Sequence, residues 1–390
     1  MQIADRISKL GTEQAFHVLA RAKDMERKGI NMVHMEIGDT DFDTPKVVKD
    51  ACIKAIKENK THYLPSQGLL EFRTEIAKFI SKTRKIPVTP AEVVVTPGAK
   101  PIIFYSILAT VNPGDEVIIP NPGFPTYESV VNFIGAKPVP LPLIAEKNFN
   151  FDLDLLEKLI TKRTKFIIVN SPQNPTGGVL PHESLVRIAQ LAKEHDLWVL
   201  SDEVYDKFIF EGKFESVSTL PGMKERTIIL NAFTKTYSMS GWRLGYGVMN
   251  ADLAKVVSNL INNSISCSPN FTQWAGIAGL KAPESVVTKF RTELKKRRDA
   301  FVTEIKKLPK VKCHCPRGGI YLFLDIRETG KTSKEVFEIL FEEAHVATLS
   351  GAAFGKYGEG FIRLSFGSAP VPRIKEAVKR MQSVWYKIAN

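Results

Sequence analysis

The stretch Lys165-Phe-Ile-Ile-Val-Asn-Ser-Pro-Gln-Asn-Pro-Thr-Gly-Gly178 begins with a strand pattern and ends with a turn pattern. The four residues after Lys165 are all apolar, as in a strand that is covered on both faces. A helical stretch at residues 182–194 follows, and Leu197-Trp-Val-Leu200 forms a second apolar run. This order of strand, helix and strand predicts two parallel strands of an α/β sheet.

Short β-branched runs extend the pattern on both sides of this stretch. They lie at residues 92–96, 115–119 and 227–230. The runs predict a large α/β domain, residues 46–280, whose mostly parallel sheet is covered by helices. Beyond about residue 280, a long charged helix and alternating strands indicate a smaller α+β domain, residues 281–390, which residues 1–45 join.

The composition fits an ordinary globular protein, since 44% of the 390 residues are hydrophobic and 25% are charged. No apolar run approaches the ~18 residues that a membrane-spanning helix needs. The first residues, Met1-Gln-Ile-Ala-Asp-Arg-Ile7, lack the basic and apolar pattern of a secretory signal. We therefore expect a cytoplasmic protein that does not act on membranes.

Charge and cysteine usage exclude two further classes of function. The net charge of +12 is spread along the chain without long blocks of like charge, which disfavours a nucleic-acid-binding tail. The four cysteines are too few and too scattered for a disulfide framework. Cys313-His-Cys315 has no second His/Cys cluster to complete a metal site, so we expect no metal.

Sheets of the predicted kind bind ligands beyond the carboxyl ends of their strands, so the residues that directly follow the strands are informative. Pro97-Gly-Ala-Lys-Pro101 leads from a strand into a helix, whose free N–H groups favour a phosphate. Such junctions are nevertheless mostly structural. After the strand that starts at Lys165, a rigid turn presents Asn174, either as a surface residue or as an amide directed at a ligand.

Two more strand ends carry chemically versatile residues. Asp202 and Tyr205 follow the strand at residues 197–200, and Asp202 is either a helix cap or part of a pocket. Lys235 follows the strand at residues 227–230 among small and apolar neighbours, and Arg243 comes eight residues later. A lysine there is either a secluded amine or a surface side chain with a buried stem.

Taken together, these groups match the needs of pyridoxal phosphate. Its aldehyde requires a lysine amine, and its ring nitrogen requires a carboxylate that keeps it protonated. Its phenolic oxygen requires hydrogen-bond donors, and its phosphate requires backbone N–H groups and a guanidinium. We therefore predict pyridoxal 5'-phosphate as the cofactor.

The chain resembles the fold-type I pyridoxal-phosphate enzymes of the class I/II aminotransferase family, in particular the aspartate and aromatic subgroup. The segments that carry the resemblance are Ile37–Pro45, Tyr63–Gly68, Asn174–Gly177, Ser201–Tyr205, Thr234–Gly245 and Arg363–Ser365. They occur in family order and cover most of the chain. The resemblance implies a large domain with a mostly parallel seven-stranded sheet, a smaller α+β domain, and a homodimer with shared active sites.

The same resemblance implies roles for the residues around the cofactor. Lys235 resembles the lysine that bonds the cofactor and moves the substrate proton, and Asp202 resembles the partner of the ring nitrogen. Asn174 and Tyr205 resemble the donors to the phenolic oxygen, which makes Lys235, Asp202 and Tyr205 the implied catalytic residues. The implied phosphate-binding positions are Gly98, Ala99, Lys100 and Arg243, with Tyr63 contributed by the neighbouring subunit.

Three further roles follow from the resemblance. Phe124 falls where the family stacks an aromatic ring on the pyridine. Arg363 resembles the arginine that holds the substrate α-carboxylate, assisted by Asn174 and the backbone at Gly38. One departure is Ala232, where the family usually has a small hydroxyl residue or glycine, so one phosphate contact is expected to come from Thr234 or water.

The implied substrate depends on two residues. A lysine at the position of Lys100 contacts the distal carboxylate in related aspartate-using enzymes, which favours aspartate with 2-oxoglutarate. Glu13 stands where those enzymes have a small hydroxyl residue, and its negative charge would repel a dicarboxylate. Residues 263–270 contain no arginine that would read a second carboxylate. Aromatic or other neutral amino acids are therefore the alternative substrates.

Other functions remain open at this stage. The cofactor motifs also fit C–S lysis, decarboxylation or racemisation on the same scaffold, and only a requirement for a 2-oxo acid separates these from amino transfer. A non-catalytic regulator would need an added DNA-binding module. Only ~40 residues precede Gly38, too few for a helix-turn-helix domain with its linker.

Overall fold

The computed structural model describes residues 3–389. Met1, Gln2 and Asn390, which the predicted small domain includes, lie outside the described residues.

Helices and strands alternate through most of the chain. The helices are α1 Gln14–Arg27, α2 Lys46–Lys57, α3 Leu70–Arg84, α4 Lys100–Thr110, α5 Pro125–Phe133, α6 Leu153–Lys158, α7 His182–Glu194, α8 Phe233–Thr236, α9 Ala251–Asn262, α10 Asn270–Lys281, α11 Glu284–Ile305, α12 Ser333–Glu342, α13 Val371–Val384 and α14 Tyr386–Ala389. The strands are β1 Val33–His34, β2 Val93–Thr96, β3 Glu116–Asn121, β4 Lys137–Pro142, β5 Thr164–Asn170, β6 Trp198–Asp202, β7 Thr227–Ala232, β8 Gly245–Val248, β9 Lys312–Cys313, β10 Tyr321–Asp325, β11 Val346–Ala347, β12 Leu349–Ser350 and β13 Phe361–Ser365.

The largest sheet has seven strands in the order β2-β8-β7-β6-β5-β3-β4. Strands β4, β3, β5, β6 and β7 run parallel, and β8 runs antiparallel to both β7 and β2. This confirms the predicted α/β class with a mostly parallel seven-stranded sheet.

The central strands are apolar because helices cover both faces of the sheet. All residues of β5 except Lys165 are buried, and β3 and β7 are buried throughout. Helix α7 buries Leu185, Ile188 and Ala192, which lie three and four positions apart and so share one face of the helix. The packing fixes the carboxyl ends of β5, β6 and β7 side by side, where the candidate residues follow.

A second sheet lies beside the first and supplies further residues to the same region. It is antiparallel and four-stranded, in the order β12-β13-β10-β9, with Phe323 of β10 opposite Arg363 of β13. Strand β1 pairs in parallel with β11, so the residues before α2 attach to this second region. The division of the chain at residues 45 and 280 stays a prediction.

One hydrophobic core runs from the seven-stranded sheet to the second sheet and includes Ile167, Leu200 and Phe323. A smaller core fills the space between α3, α10 and the outer strands β2 and β8, around Phe72 and Phe233. Among residues 3–389, no helix combines the length and apolar character needed to cross a membrane. Within the same range, no three His, Cys, Asp or Glu side chains are grouped as a metal site would require.

Candidate active site

A cavity of about 550 Å³ lies at the carboxyl ends of β5, β6 and β7, between the two sheets. Ten of the residues singled out from the sequence line it, namely Gly38, Ala99, Lys100, Phe124, Asn174, Asp202, Tyr205, Lys235, Arg243 and Arg363. Glu13 and Thr234 also line it, whereas Gly98 and Tyr63 do not. Residues that are more than 300 positions apart in the chain therefore share one cavity.

Asp202 ends β6 and is buried at the base of the cavity. Its Oδ2 accepts a hydrogen bond of 2.6 Å from the hydroxyl of Tyr127, and its Oδ1 accepts one of 3.3 Å from the N–H of Val204. Burial raises the pKa of Asp202 to about 6, against the lowering effect of these two hydrogen bonds. The carboxylate is therefore ionised at neutral pH and available to a cationic ligand group.

Asn174 lies in the turn after β5 and is held there by Asn170, the last residue of that strand. Its N–H donates to the Oδ1 of Asn170 at 2.9 Å, and the Nδ2 of Asn170 donates to the backbone oxygen of Asp202 at 3.1 Å. The two strand ends are thereby tied together. Asn174 is itself buried and presents its side chain to the cavity.

Tyr205 faces the cavity three residues after Asp202 and is paired with a second tyrosine. The hydroxyls of Tyr205 and Tyr321 lie 3.0 Å apart, and the two rings meet edge to face at 5.9 Å. Burial, followed by the nearby Tyr321, raises the pKa of Tyr205 well above its usual value. The Tyr205 hydroxyl therefore stays protonated near neutral pH and can donate a hydrogen bond.

Lys235 lies in the short helix α8, directly after β7, and its side chain is half-buried. Its ammonium donates a hydrogen bond to the backbone oxygen of Gly38. Gly38 has no room for a side chain, because a Cβ would collide with the Tyr321 hydroxyl. The hydrogen bond to Gly38 holds the segment before α2 against Lys235, which follows the central strand β7.

Arg243 and the start of α4 form the cationic end of the cavity. The Nη1 of Arg243 donates to the backbone oxygen of Ser240 at 2.9 Å, and its Nη2 donates to that of Pro97 at 3.2 Å. Gly98, with φ +92°, lies directly against this guanidinium, where any Cβ would collide with it. The first backbone N–H groups of α4 and the Arg243 charge together form an anion site.

Arg363 is buried on β13 without an acidic partner. Its Nη1 donates to the Oδ1 of Asn174 at 3.2 Å, and its Nη2 donates to the backbone oxygen of Glu36. Its Nε is buried without a hydrogen-bond partner, and none of the ion pairs within residues 3–389 includes it. A buried guanidinium of this kind needs an anion, and a carboxylate matches its planar fork.

Lys100 and Glu13 form an ion pair at the outer wall of the cavity. The Lys100 ammonium lies 5.6 Å from the ring centre of Phe124 and 5.7 Å from that of Phe16. Lys100 therefore faces the cavity with its charge already engaged. The sequence identified both residues but did not indicate their pairing.

Sequence reasoning assigned no role to several lining residues, among them Tyr127, Tyr321 and Asn170. Tyr127 is the third residue after Phe124, at the start of α5, and this helical spacing was an available signal. Asn170 was quoted only as the first residue of the Asn174 turn. For Tyr321 the sequence held no signal, because its hydroxyl reaches the site only through the packing of β10.

Tyr63 is 87% exposed and does not line this chain's own cavity. Its predicted role in a neighbouring subunit's site stays a prediction.

The comparison with known proteins places these features in a family. The family model described as "Aminotransferase class I and II" matches residues 30–381. A probable aspartate/prephenate aminotransferase of Aquifex aeolicus is 37% identical over 99% of both chains, and an aspartate aminotransferase of Pyrococcus abyssi is 38% identical over 98% of both. The crystal structure of an aromatic aminotransferase from Pyrococcus horikoshii superposes with a TM-score of 0.89 at 37% identity, over 94% of this chain and 99% of that one.

The match covers both sheets and all the strand ends that line the cavity. The chain therefore belongs to the class I and II aminotransferases and is a pyridoxal-phosphate-dependent aminotransferase.

Proposed function

We propose that the protein moves an amino group between an L-amino acid and a 2-oxo acid by a ping-pong route, with Lys235, Asp202 and Arg363 at the centre of the site. The observation that carries the proposal is the arrangement of charges in one cavity. An ammonium, a buried carboxylate and a buried guanidinium without an acidic partner line the same 550 Å³. Few reactions other than those of an amino acid at a cationic cofactor ring use this set.

The residues present fit pyridoxal phosphate. Gly98 leaves the start of α4 bare beside Arg243, as an anion cradle requires, and Asp202 is a buried carboxylate that forms no ion pair within residues 3–389. When bound, the cofactor supplies an aldehyde that takes up the amino group and a protonated ring that withdraws electrons from the substrate Cα. Asp202 then holds the proton at the ring nitrogen, and Tyr127 fixes the carboxylate in place.

Lys235 is the proposed proton carrier. Its Nζ removes the proton from the substrate Cα and returns it on the cofactor side, which requires a neutral amine in a water-poor position. The backbone oxygen of Gly38 orients this nitrogen. Asn174 and Tyr205 would hold the phenolic oxygen of the cofactor and Phe124 would pack on its ring, because all three side chains line the cavity.

Arg363 is the proposed anchor for the substrate α-carboxylate. Two parallel N–H···O bonds fix a carboxylate in direction as well as position. Asn174 already accepts from this guanidinium, and the backbone near Gly38 lies beside it, so both residues are placed to assist. This orientation sets the Cα–H bond relative to Lys235.

The proposed phosphate site consists of Gly98, Ala99, the backbone N–H of Lys100 at the start of α4, and the side chain of Arg243, with Thr234 or Ser240 as a hydroxyl donor in place of the hydroxyl that Ala232 lacks. Both hydroxyl residues line the cavity. We propose Tyr63 as a further donor from a second copy of the chain, because it is 87% exposed and carries a hydroxyl that nothing in its own cavity uses. The active form would then be a homodimer with shared sites.

We also propose a cytoplasmic location. The cysteines Cys52, Cys267, Cys313 and Cys315 are all free thiols. Free thiols are typical of proteins in a reducing compartment.

The substrate pair that the sequence favours is aspartate with 2-oxoglutarate, and neutral amino acids are the alternative. Relatives named for aspartate and for aromatic substrates both occur. The Glu13–Lys100 ion pair bears directly on this choice, because it engages the lysine that a second substrate carboxylate would need.

The test is a two-part assay on the purified enzyme loaded with its cofactor. Each amino acid alone should discharge the visible absorbance of the cofactor in a single turnover, and continued turnover should require a 2-oxo acid and yield its amino acid. Continued turnover without any 2-oxo acid would instead indicate lyase, decarboxylase or racemase chemistry. No reaction with any amino acid would contradict the proposal.

A further inference from the structure

Glu13 and Lys100 meet at one wall of the active-site cavity from distant parts of the chain. Glu13 directly precedes α1, and Lys100 is the first residue of α4. The side chain of Glu13 is 18% exposed and that of Lys100 is 47% exposed. The hydroxyl of Thr126 also donates to the carboxylate of Glu13, at 3.5 Å. The carboxylate is therefore mostly enclosed and depends on Lys100 for charge compensation.

The surroundings of this pair are apolar. The rings of Phe16 and Phe124 flank the Lys100 ammonium, at 5.7 and 5.6 Å from ring centre to nitrogen. Ile37 and Ile103 also line the cavity. This wall therefore offers a substrate apolar side chains and an ion pair whose net charge is zero.

We propose that Glu13 sets the substrate class of the enzyme by engaging Lys100, so that amino acids with uncharged, preferably aromatic or apolar side chains are used in preference to aspartate and glutamate. The inference rests on the proposed function, because it assumes that the substrate binds in this cavity through its α-carboxylate and amino group.

The charge inventory of the cavity supports this preference. Its cationic lining residues are Lys100, Lys235, Arg243 and Arg363. Arg363 is assigned to the α-carboxylate, Arg243 to the phosphate and Lys235 to the chemistry. A second substrate carboxylate would therefore need Lys100.

A second substrate carboxylate at this wall would face one of two free-energy costs. A distal carboxylate that displaced Glu13 would leave a mostly enclosed negative charge without a cation. A distal carboxylate that left the pair intact would instead lie beside Glu13 without a cation of its own. An uncharged side chain meets neither penalty and gains contact with Phe16 and Phe124. The preference for aspartate that the position of Lys100 suggests in the sequence is thereby reversed.

The decisive variant is Glu13→Gln in the cofactor-loaded enzyme, compared by kcat/KM for aspartate and for phenylalanine. In the wild type we expect phenylalanine to be favoured. In Glu13→Gln, Lys100 becomes available and the ratio of aspartate to phenylalanine should rise by at least about tenfold. Asp24→Asn is the matched control, because it removes one negative charge from an exposed position on the same helix.

A double variant separates the role of the freed lysine from a change of shape. Glu13→Gln combined with Lys100→Met removes both charges, so the gain for aspartate seen in Glu13→Gln should disappear. If the gain persists in the double variant, the change does not act through Lys100 and the inference is wrong.

Binding gives a second readout that needs no turnover. Calorimetry with succinate and with 3-phenylpropanoate should show the same shift in preference between the wild type and Glu13→Gln. A wild-type preference for aspartate, or a ratio that changes less than about twofold in Glu13→Gln, contradicts the inference. An enzyme that transfers no amino group from any amino acid contradicts the proposed function instead, so the two failures are distinct.

Discussion

Two walls of the same cavity are built in different ways. One, here called the cofactor wall, consists of Asn174, Asp202, Tyr205, Lys235 and Arg243, which follow strands of the seven-stranded sheet or precede its strand β8. The other, here called the substrate wall, consists of Glu13, Phe16, Lys100, Phe124 and Arg363, which come from the segment before α1, three helix starts and a strand of the second sheet.

The difference determines what a substitution can change. Parallel strands that are buried and hydrogen-bonded on both sides fix the cofactor wall, so its side chains have little freedom. The substrate wall is built from separate parts of the chain, and its residue Glu13 ends a segment whose other residues, 3–12, are exposed. Changes in the cofactor wall should therefore abolish the chemistry, whereas changes in the substrate wall should alter which molecule is used.

Lys235→Ala should show the largest effect. Loss of the proton carrier is expected to lower turnover by up to about 10⁴-fold, while the cavity still binds pyridoxal phosphate noncovalently. Steady-state rates and the cofactor content after gel filtration measure the two properties. Lys255→Ala, an exposed lysine of α9, is the control. Turnover near the wild-type rate in Lys235→Ala would remove Lys235 from the cofactor wall's chemistry.

Asp202→Asn should lower turnover on the order of 10²–10³-fold, the usual cost of deleting one electrostatic stabiliser. The amide cannot hold the proton of the ring nitrogen. The wild-type apoprotein should also lose cofactor affinity as the pH falls through about 6, where Asp202 takes up a proton. A titration of cofactor affinity against pH tests this, and the step should be absent from Asp202→Asn.

The same pKa also predicts how the stability of the apoprotein depends on pH. Stability should fall as the pH rises, whereas cofactor affinity should fall as the pH drops. The folded-state pKa of Asp202 is about 6, above the usual 3.8 of an aspartate, so the folded apoprotein binds more protons than the unfolded chain between these two pH values. Its free energy of unfolding therefore falls as the pH rises through this window. Above pH 6, Asp202→Asn should stabilise the apoprotein by about 1–3 kcal/mol, measured by denaturant unfolding. A destabilised variant would mean that the carboxylate is compensated in the fold.

The residues of the cofactor wall were easier to predict from the sequence than the contacts of the substrate wall. Asn174, Asp202 and Lys235 were predictable because each lies within five residues of the end of an apolar run, and parallel strands end at one edge of the sheet. Tyr321 was not predictable, since it contacts Tyr205 only after the second sheet has packed against the first. The ion pair of Glu13 with Lys100 likewise depends on where the segment before α1 lies, which no local pattern encodes.

The prediction of helices and strands from the sequence had a similar limit. Helix α7 was predicted with its observed bounds, because its apolar residues repeat with helical spacing. Strand β4 escaped prediction because it contains Pro138, Pro140 and Pro142, and only its position at the sheet edge makes their missing N–H groups tolerable. Strand β8 escaped because Gly245 and Gly247 weaken the strand signal, although Gly245 must be bare to pass the backbone of Gly98.

Arg363→Lys should affect the substrate wall alone. Lysine keeps the charge but cannot form two parallel bonds to a carboxylate, so KM for amino acids should rise by about 10–100-fold. Cofactor affinity should change much less, which separates this variant from those of the cofactor wall. Kinetics with a fixed 2-oxo acid and a separate cofactor titration provide both numbers. If cofactor affinity fell by the same factor by which KM rose, Arg363 would belong to the phosphate site instead.

Tyr63 gives the smallest expected effect and tests whether the cofactor wall is complete within one chain. Tyr63→Ala removes one hydrogen bond to a charged group, so cofactor affinity should fall by about tenfold. At limiting cofactor, a mixture of Tyr63→Ala with Lys235→Ala should be more active than either variant alone, because each hybrid dimer has one site with both native residues. Labelled subunits must be seen to exchange for the result to count. If exchange occurs and the mixture gains nothing, Tyr63 does not act across a dimer interface, and the exposed hydroxyl belongs to no active site.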